Sequence, residues 1–388
     1  MTAMEGSMPR TILSLLSLSL VLCVADASHA GRAPQSFLPD ELSQCRRQAP
    51  VTANVPPNGA PDPDPAKGEL SNGFFHVEEV APGFFYATDG TFQSAFVVSR
   101  RGLIVIDAPP MVGFNALDPT ASVSILDVIY SVPETQGLPI RQLIYSHSHL
   151  DHIGQASKIV DAFPDVEIIA QRETARKIER GTGTFGPFLP NSGTVPPPSP
   201  TRTFLGATRV RLAEKRLDLS YRGEIHDPGN IFIHAPRERV LMLVDVLFPG
   251  SSQFTELNVA VDLPRFVDAF DQILRFDFDV FIGGHNNRLG TREDVTEGRL
   301  YVQDMMENAR RALLDQTPGA IFGILPQNQL VAAAIFSDEQ ACDCANRTLD
   351  PARTPSGTDW RNRLTGADFL TVTHCFSLVE ALRIDPSF

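Results

Sequence analysis

The segment YSHSHLDHIG, residues 145–154, brings together four groups that could do metal chemistry: His147, His149, Asp151 and His152. The chain has nine histidines, and three of them fall within these six positions. Imidazole nitrogens and carboxylate oxygens are ligands that zinc and similar transition metals take in proteins. Chance alone rarely produces this spacing, so it predicts a metal site, whereas a lone histidine would predict a hydrogen-bonded core residue.

The elements around this cluster should present its side chains together. The apolar run RQLIY predicts a strand that ends at the histidines. Alternate residues of a strand point the same way, so His147 and His149 are expected to share a face. Asp151 and His152 follow where the chain should turn into a helix. The segment therefore predicts two adjacent groups of nitrogen and oxygen ligands.

Three later segments could complete such a site. His226 precedes the Pro-Gly turn of HDPGN, and Asp245 lies in the apolar run VLMLVDVLFPG, where an ionised carboxylate needs a partner. His285 follows Gly283 and Gly284 in VFIGGHNN, where small residues let the backbone approach a site. Each feature alone is weak, but together, at strand ends, they predict one centre.

The pattern of short apolar runs and helical periods predicts a layered α/β architecture. A Thr291 cap with acidic residues in the first turn predicts a long amphipathic helix over 292–315. The other predicted helices cover about 125–132, HIGQASKIVDAFP and about 264–276. The predicted strands are GFFYATDG, SAFVVS, GLIVIDAPP, RQLIYS, VEIIA, LDLSY, NIFIHA, RVLMLVDVLF and DVFIGG.

The ordered motifs IDAP, SHSHLDH, HDPGN, LVDVLFP and GGH resemble those of the metallo-β-lactamase-fold hydrolases. The resemblance runs from about Phe75 to Arg310. It implies an αββα sandwich of the α/β class with two metals in a groove at one edge of the sheets. Residues 75–310 are then the catalytic domain, and residues 311–388 form a helical and irregular C-terminal extension with cysteines.

The ligand set resembles that of glyoxalase II and the lactonases of this family, and the resemblance implies roles for the seven side chains. The first metal would be held by His147, His149 and His226, the second by Asp151, His152 and His285, with Asp245 bridging both. Two Zn²⁺ ions are expected, although iron or manganese would also suit these ligands. Such ions lower the pKa of water, so that hydroxide can attack an electrophile. Asp151 is the expected catalytic residue, binding metal and orienting that nucleophile.

Departures from known subfamilies bear on the substrate. In β-lactamases of the thiolate class, a cysteine ligand directly follows the position that matches Asp245. This chain has Val246 there, which argues against antibiotic hydrolysis. Acyl-homoserine lactonases place a tyrosine near the position of Phe248. The Gly- and Pro-rich stretch 181–200 predicts either a lid or a plain surface loop. Four phenylalanines are candidates for an apolar substrate pocket, or are core residues: Phe185, Phe188, Phe248 and Phe254.

These features predict a dinuclear hydrolase whose metal-bound hydroxide attacks an ester, lactone or related acyl bond of an apolar small molecule. Hydrolysis of phosphotriesters, alkyl sulfates or β-lactams on the same metals is the enzymatic alternative. A non-catalytic secreted metal-binding module is the alternative from another class. Asp107, in IDAP, is a candidate hydrogen-bond acceptor for a ligand imidazole or a turn-forming residue.

The first thirty residues read as a secretory signal. Arg10 precedes the apolar run ILSLLSLSLVLCV, which is too short to span a bilayer, and ADA or SHA offers a cleavage site. We expect a secreted or periplasmic protein without stable membrane insertion after signal removal, and with a Pro-rich arm at 31–74. The net charge of −13 argues against nucleic acid as a partner. The oligomeric state stays open.

Export would favour disulfide bonds between the cysteines, because disulfides persist in oxidising compartments. Cys45, Cys342, Cys344 and Cys375 remain after removal of the signal. Cys342 and Cys344 are too close in sequence to pair with each other. Two bridges are therefore expected to join Cys45 and Cys375 to this CDC pair, in either order; buried free thiols or a soft-metal site are the alternatives.

Overall fold

The computed structural model describes residues 75–111, 123–181, 196–316 and 328–388. Four sequence predictions lie outside these residues. They are the signal segment 1–30, the arm 31–74, the two loop phenylalanines Phe185 and Phe188, and the pairing of Cys45. Among the described residues, no helix is long and apolar enough to cross a membrane.

Two sheets form the centre of the described structure. The first has seven strands in sequential order: β1 His76–Ala81, β2 Phe84–Thr88, β3 Gln93–Ser99, β4 Gly102–Ile106, β5 Ile140–Ile144, β6 Glu167–Gln171 and β7 Arg202–Phe204. The second has five strands in the order β12-β11-β10-β9-β8: β8 Ala207–Leu212, β9 Lys215–Ser220, β10 Phe232–Ala235, β11 Val240–Met242 and β12 Val280–Ile282. Strands β1 to β4 pair antiparallel, and β4 to β7 pair parallel.

Helices connect the strands and follow the second sheet. They are α1 Ile125–Ile129, α2 Leu150–Ile153, α3 Ala156–Ala162, α4 Arg172–Arg180, α5 Leu263–Leu274, α6 Arg292–Asp315, α7 Gln329–Thr348, α8 Trp360–Arg363 and α9 Ala367–Ile384. A short 3-10 turn covers Pro133–Thr135. The predicted Thr291 cap is confirmed, because Thr291 and Asp294 form a reciprocal capping box at the start of α6.

The alternation of apolar residues along the central strands produces the layers. On β4, Leu103 and Val105 face a core shared with α1 and α3, while Ile104 and Ile106 face the core between the two sheets. A third core lies between the second sheet and the helices from α5 onwards. The order is therefore helices, sheet, sheet, helices, and the predicted αββα sandwich is confirmed.

The C-terminal helices share this third core. Side chains of β10 to β12, α5, α6, α7 and α9 form one buried cluster, and helix α6 runs through the boundary that was expected at residue 310. A disulfide joins Cys344 on α7 to Cys375 on α9. This bond is one of the two expected bridges, and it ties the last helix to the helix before it.

Several strands are shorter than predicted, among them the two that precede the histidine cluster and Asp245. Strand β5 ends at Ile144, so His147 and His149 lie in the following loop and not on a strand face. Strand β11 covers only Val240–Met242 of the run RVLMLVDVLF. The run has left the sheet before Asp245, whose backbone has a positive φ of 63°, outside the range of a strand. Apolar composition alone could not reveal these ends.

Candidate metal centre

The loop after β5 presents the first histidines. Its start is held by Asp107, because the Ser146 amide donates to Asp107 Oδ1 at 2.8 Å. Asp107 is fully buried, and burial raises the pKa of its carboxyl to about 6. His149 then caps helix α2, which carries Asp151 and His152 in its single turn. Asp107 therefore accepts from the backbone of this loop, whereas the sequence suggested a ligand imidazole as its donor.

His226 reaches the same place from the turn before β10. This turn passes so close to α4 that a Cβ at Gly229 would lie 2.3 Å from Thr174 Oγ1, and Gly229 has a φ of +96°. Only glycine adopts this backbone readily, and only glycine leaves room for the helix. Gly229 of HDPGN therefore sets the path of the chain after His226.

Asp245 and His285 come from the loops after β11 and β12. The Asp245 amide donates to Gly283 O at 3.0 Å, which joins the two loops. A Cβ at Gly284 would lie 2.5 Å from Val244 Cγ1 and 3.3 Å from Asp245 Oδ1. The expectation that small residues allow a close backbone approach before His285 is confirmed.

The structure brings all seven predicted ligands together. Their ligand atoms form two groups, each within 4.8 Å: His147, His149, His226 and Asp245, and Asp151, His152, Asp245 and His285. Asp245 belongs to both groups. The Asp245 carboxylate oxygens lie 3.0 to 3.4 Å from the Nε2 atoms of four imidazoles: His147, His152, His226 and His285. Ligand atoms at about 2.0–2.1 Å from a tetrahedral zinc would be about 3.3–3.4 Å apart, so these spacings suit a cation.

Hydrogen bonds behind the imidazoles decide which nitrogens face the centre. His226 Nδ1 lies 2.6 Å from Asn258 O, and His285 Nδ1 lies 3.1 Å from Thr91 O. A carbonyl oxygen only accepts, so each Nδ1 carries the proton and donates it. Each Nε2 then presents a lone pair to the centre. Backbone carbonyls behind a ligating imidazole are the usual way in which proteins fix its tautomer.

His149 is oriented the other way round. Its Nε2 lies 3.4 Å from Asp227 Oδ1, and its Nδ1 lies 3.0 Å from His226 Nε2. Burial by itself raises the pKa of Asp227, but His149, His147 and Lys177 hold that pKa well below its ordinary value. Asp227 is therefore an ionised acceptor, and the Nδ1 of His149 is the atom that faces the centre.

The donor set fits a divalent cation. Within the described part of the chain, His147 Nε2, His152 Nε2 and Asp151 Oδ1 are buried without a hydrogen-bond partner. The two nitrogens that face the centre from His149 and His226, Nδ1 and Nε2, lie only 3.0 Å apart, so their lone pairs converge. Buried atoms of this kind cost free energy unless something positive lies between them. Nitrogen and carboxylate ligands in two groups of four are suited to zinc, iron or manganese.

Burial and the close packing of carboxylates and imidazoles also shift the pKa values of the metal-free site. Burial lowers the pKa of His152, but the carboxylates of Asp245 and Asp151 raise it to about 10. Burial raises the pKa of Asp245, yet His152, His285 and His226 keep it well below its ordinary value. In the metal-free site, the imidazoles around Asp245 therefore balance its negative charge, a role that a bound cation would take over.

Only some of the predicted apolar residues lie at this centre. The ring of Phe248 is 5.1 Å from that of His285 and is nearly buried, whereas Phe254 is 62% exposed. Phe92, which the sequence did not single out, lies 5.4 Å from the His285 ring. Phe185 and Phe188 lie outside the described residues.

Several residues that support the centre were missed in the sequence. Gln93 binds the His285 loop, because its Nε2 donates to His285 O at 2.7 Å and its Oε1 accepts from Gly284 N at 2.9 Å. Asn258 and Thr91 supply the carbonyls described above. Of the missed residues only Asp227 carried a signal, since it directly follows His226 in HDPGN.

The remaining histidines lie elsewhere. His234 is on β10 and its Nε2 lies 2.9 Å from Asp277 O, in agreement with its reading as a strand-face residue. His76 begins β1, next to Glu78. His374 is buried in the C-terminal helices, where its ring contacts Tyr301 and the main chain at Gln253.

The comparison with known families agrees with this geometry. Residues 88–285, about half of the chain, match the sequence model described as the Metallo-beta-lactamase superfamily. The chain belongs to this superfamily. The resemblance noted in the sequence is thereby confirmed, and enzymes of this superfamily are typically metal-dependent hydrolases. The sequence comparison does not single out a glyoxalase II-like subgroup.

Individual relatives of this superfamily member are distant. The chain is 28% identical over 229 residues to the 2,4-dinitroanisole O-demethylase subunit alpha of Nocardioides sp. (strain JS1661). That match covers 58% of this chain and 62% of the relative, so it spans less than two thirds of that protein. Two metallo-beta-lactamase structures, from Pontibacter korlensis and Hirschia baltica, are similar at 15% identity, with TM-scores of 0.45 and 0.44. Each match covers 58% of this chain, and 97% and 96% of those chains.

Proposed function

We propose that the protein is a dinuclear metal-dependent hydrolase that cleaves an ester, lactone or related acyl bond of a small apolar molecule. The observation that carries this proposal is the pair of four-ligand groups that share Asp245. A carboxylate shared by the two groups would keep two bound cations close together, the arrangement that two-metal hydrolysis requires. We expect Zn²⁺, and iron or manganese would also suit these ligands.

The side chains of the chain have separable tasks in such a site. When bound, two divalent cations supply Lewis acidity and make hydroxide available at neutral pH. The first group would hold one ion through His147, His149 and His226. The second would hold the other through Asp151, His152 and His285. Asp245 would neutralise part of the charge of both.

Asp151 is the proposed catalytic residue. Its Oδ2 lies 3.4 Å from His152 Nε2 and 3.6 Å from His285 Nε2, so it belongs to the second group. Its side chain is 13% exposed, against 5% for Asp245. This partial exposure supports the proposal that Asp151 binds metal and accepts a proton from an attacking water.

The surroundings favour an apolar substrate. Two aromatic side chains, Phe92 and Phe248, lie against the ring of His285. Apolar and aromatic walls around a few polar groups are typical of small-molecule sites. We therefore propose substrates with an aromatic or alkyl portion next to the cleaved bond.

Hydrolysis of an electron-poor aryl methyl ether is a second candidate, because the relative named above is an O-demethylase subunit. Removal of the methyl group needs no oxidant when water is the reactant. The water oxygen bonds to the ring carbon, the bond from that carbon to methoxy oxygen breaks, and methanol leaves with the proton. This addition and elimination resembles attack on an acyl carbon, so one site could serve both reactions.

Export remains part of the proposal. The support is the N-terminal signal pattern and the Cys344–Cys375 disulfide, which persists most readily in an oxidising compartment. Detection of the mature N-terminus after expression with an intact leader, by mass spectrometry of periplasmic and culture fractions, tests this point. A chain that keeps residues 1–30 in the cell interior would contradict it.

The proposed activity is tested with the purified full chain. Metal content is measured first, and turnover is then measured on chromogenic esters, lactones, phosphotriesters, sulfates, nitrocefin and 2,4-dinitroanisole. We expect about two metal ions per chain, ester or lactone hydrolysis, and loss of turnover on chelation that added metal restores. His149→Ala should lose metal and activity, whereas His234→Ala, a histidine change outside the centre, should keep both.

Other outcomes would decide between the alternatives. Turnover that survives complete metal removal would overturn the metal mechanism. Exclusive cleavage of phosphotriesters, sulfates, nitrocefin or the ether would keep the metal centre and replace the substrate class. Two bound metals without turnover on any compound would favour a non-catalytic metal-binding module.

A further inference from the structure

A left-handed turn supports the first ligand group from behind. Glu256, Leu257, Asn258 and Val259 all have positive φ, between 52° and 60°. L-residues other than glycine avoid this conformation, because Cβ approaches the following carbonyl oxygen. Asn is the one residue of the four that tolerates it well. A run of this kind persists only where the surrounding structure holds it in place.

Asn258, at the centre of this turn, joins two of the proposed ligands. Its carbonyl oxygen accepts from His226 Nδ1 at 2.6 Å, and its side-chain Nδ2 donates to Asp245 O at 3.0 Å. Its Oδ1 accepts from Phe254 N at 2.5 Å, which closes the turn. Asn258 is 3% exposed. One residue thus sets the orientation of His226 and the main chain at Asp245.

The C-terminal helix α9 holds this turn on its other side. Thr373 Oγ1 accepts from Glu256 N at 3.1 Å. His374 Nε2 lies 3.0 Å from Gln253 O and 2.9 Å from Phe254 O, and must donate to these carbonyls. The neighbouring Cys375 is bonded to α7 through the disulfide. The turn is therefore fastened between the ligands and a helix that lies outside the residues matching the superfamily.

We propose that helix α9 is a positioning element of the metal centre, and that it acts through Asn258. Thr373 and His374 hold the left-handed turn, and the turn holds the Asn258 carbonyl against His226 and the Asn258 amide against Asp245. Asn258 is a positioning residue, because it acts through its contacts with the ligands His226 and Asp245. This inference rests on the proposed metal centre for its functional meaning.

The Asn258 contact is tested by two substitutions that separate backbone from side chain. Asn258→Gly permits the left-handed backbone but removes the bonds to Asp245 and Phe254 N, and Asn258→Ala removes these bonds and also disfavours the backbone. Loss of a hydrogen-bond partner behind a ligand typically weakens metal binding about 10–100-fold. Asn258→Gly keeps the carbonyl behind His226, so we expect a loss below this range for Asn258→Gly and a loss within it for Asn258→Ala, in competition with a chromogenic chelator.

The role of α9 needs a more distant variant. Thr373→Val removes the acceptor for Glu256 N while keeping the shape of the side chain. Thr296→Val on α6 is the matched control, because Thr296 Oγ1 bonds Arg292 O within its own helix. We expect Thr373→Val to weaken metal binding severalfold and Thr296→Val to leave it unchanged. Equal losses in the two variants would mean general loosening and would overturn the proposal.

A readout without metal separates this inference from the proposed function. In the metal-free protein, at a pH high enough for His226 to be neutral, nitrogen NMR should show its remaining proton on Nδ1, and Asn258→Ala should give a mixture of tautomers. Should the wild type bind no metal, the proposed function fails, while the tautomer still decides the role of Asn258. An unchanged His226 tautomer in Asn258→Ala, with wild-type folding by circular dichroism, would overturn the inference.

Discussion

Asp227 lies 3.4 Å from Nε2 of His149, so a buried carboxylate stands directly behind the imidazole whose other nitrogen faces the centre. The Asp227 carboxylate also accepts from Lys177 and, at 2.8 Å, from Ser148 Oγ. The carboxylate therefore connects a ligand to helix α4 and to its own loop. This arrangement fixes the His149 tautomer and makes its facing nitrogen a better donor to a metal.

Replacement of Asp227 should weaken the first metal position. Asp227→Asn keeps the shape but removes the charge that pairs with His149 and Lys177. We expect metal affinity to fall about 10–100-fold with the fold intact, as measured by chelator competition and circular dichroism. Asp218→Asn, which removes a carboxylate paired with Arg216 on the surface strand β9, is the control and should bind metal normally. Wild-type affinity in Asp227→Asn would contradict this role.

A methyl group at Gly284 should damage both stability and the centre. Gly284 has a φ of +97°, and a Cβ there would lie 2.5 Å from Val244 Cγ1. Strain and overpacking together should lower the free energy of unfolding by about 2–4 kcal/mol in Gly284→Ala. Denaturant unfolding measures this change. Val244→Ala removes buried methyl groups and costs stability itself, so the coupling energy between the two substitutions, and not the double variant alone, measures the clash.

Gly206→Ala is the matched glycine control. A Cβ at Gly206 meets no atom within 4 Å, and its φ is not positive. Its free energy of unfolding should change by less than about 0.5 kcal/mol. Should Gly284→Ala be as stable as Gly206→Ala, the close approach of the His285 loop to Val244 would be wrong.

The stability of the fold should depend on pH through His374. Burial lowers the pKa of His374 to about 4, from an ordinary value of 6.5, although its bonds to Phe254 O and Gln253 O oppose the shift. Between these two pH values the unfolded chain binds the proton and the folded chain does not. The free energy of unfolding should therefore fall as pH drops from 6.5 to 4, by up to about 3 kcal/mol from this residue.

A non-titrating side chain at this position isolates the contribution. His374→Gln keeps a donor for the carbonyls and has no charge to gain. We expect a shallower dependence of unfolding free energy on pH between 4 and 6.5 than in the wild type, by denaturant titration at several pH values. The same slope in both proteins would show that His374 is not buried in its neutral form.

Removal of the disulfide should loosen the C-terminal helices. The bond joins positions 31 residues apart in sequence and restricts the unfolded chain. We expect Cys344→Ala with Cys375→Ala to lower the free energy of unfolding by about 2–4 kcal/mol. Thermal unfolding of this double variant and of the wild type, with and without reductant, measures the effect. A double variant that melts at the wild-type temperature would argue against the bond.

Much of the centre was visible in the sequence because the ligands are chemically unusual where they stand. His147, His149, Asp151 and His152 follow one strand in a spacing that few other functions require. Asp245 interrupts an apolar run, and paired glycines precede His285. The layers were also predictable, because alternation along strands such as β4 assigns each side chain to one of two cores.

The orientation of the ligands came only from the tertiary structure. Thr91 and Asn258 are separated from His285 and His226 by 194 and 32 residues, and they act through backbone carbonyls that any residue type would supply. The left-handed turn at Glu256–Val259 contains no glycine from which it could be predicted. Its conformation depends on contacts with α9.

By itself, therefore, the amino-acid sequence determined which groups could bind metal and the class of fold that carries them. These features follow from the sequence because side-chain chemistry and apolar periodicity depend on residue type and spacing alone. Only the folded chain decided how the imidazoles are turned, which carboxylate stands behind His149, and that the last helix supports the centre. Those features depend on hydrogen bonds and backbone angles set by residues that are distant along the chain, and local sequence preferences do not specify them.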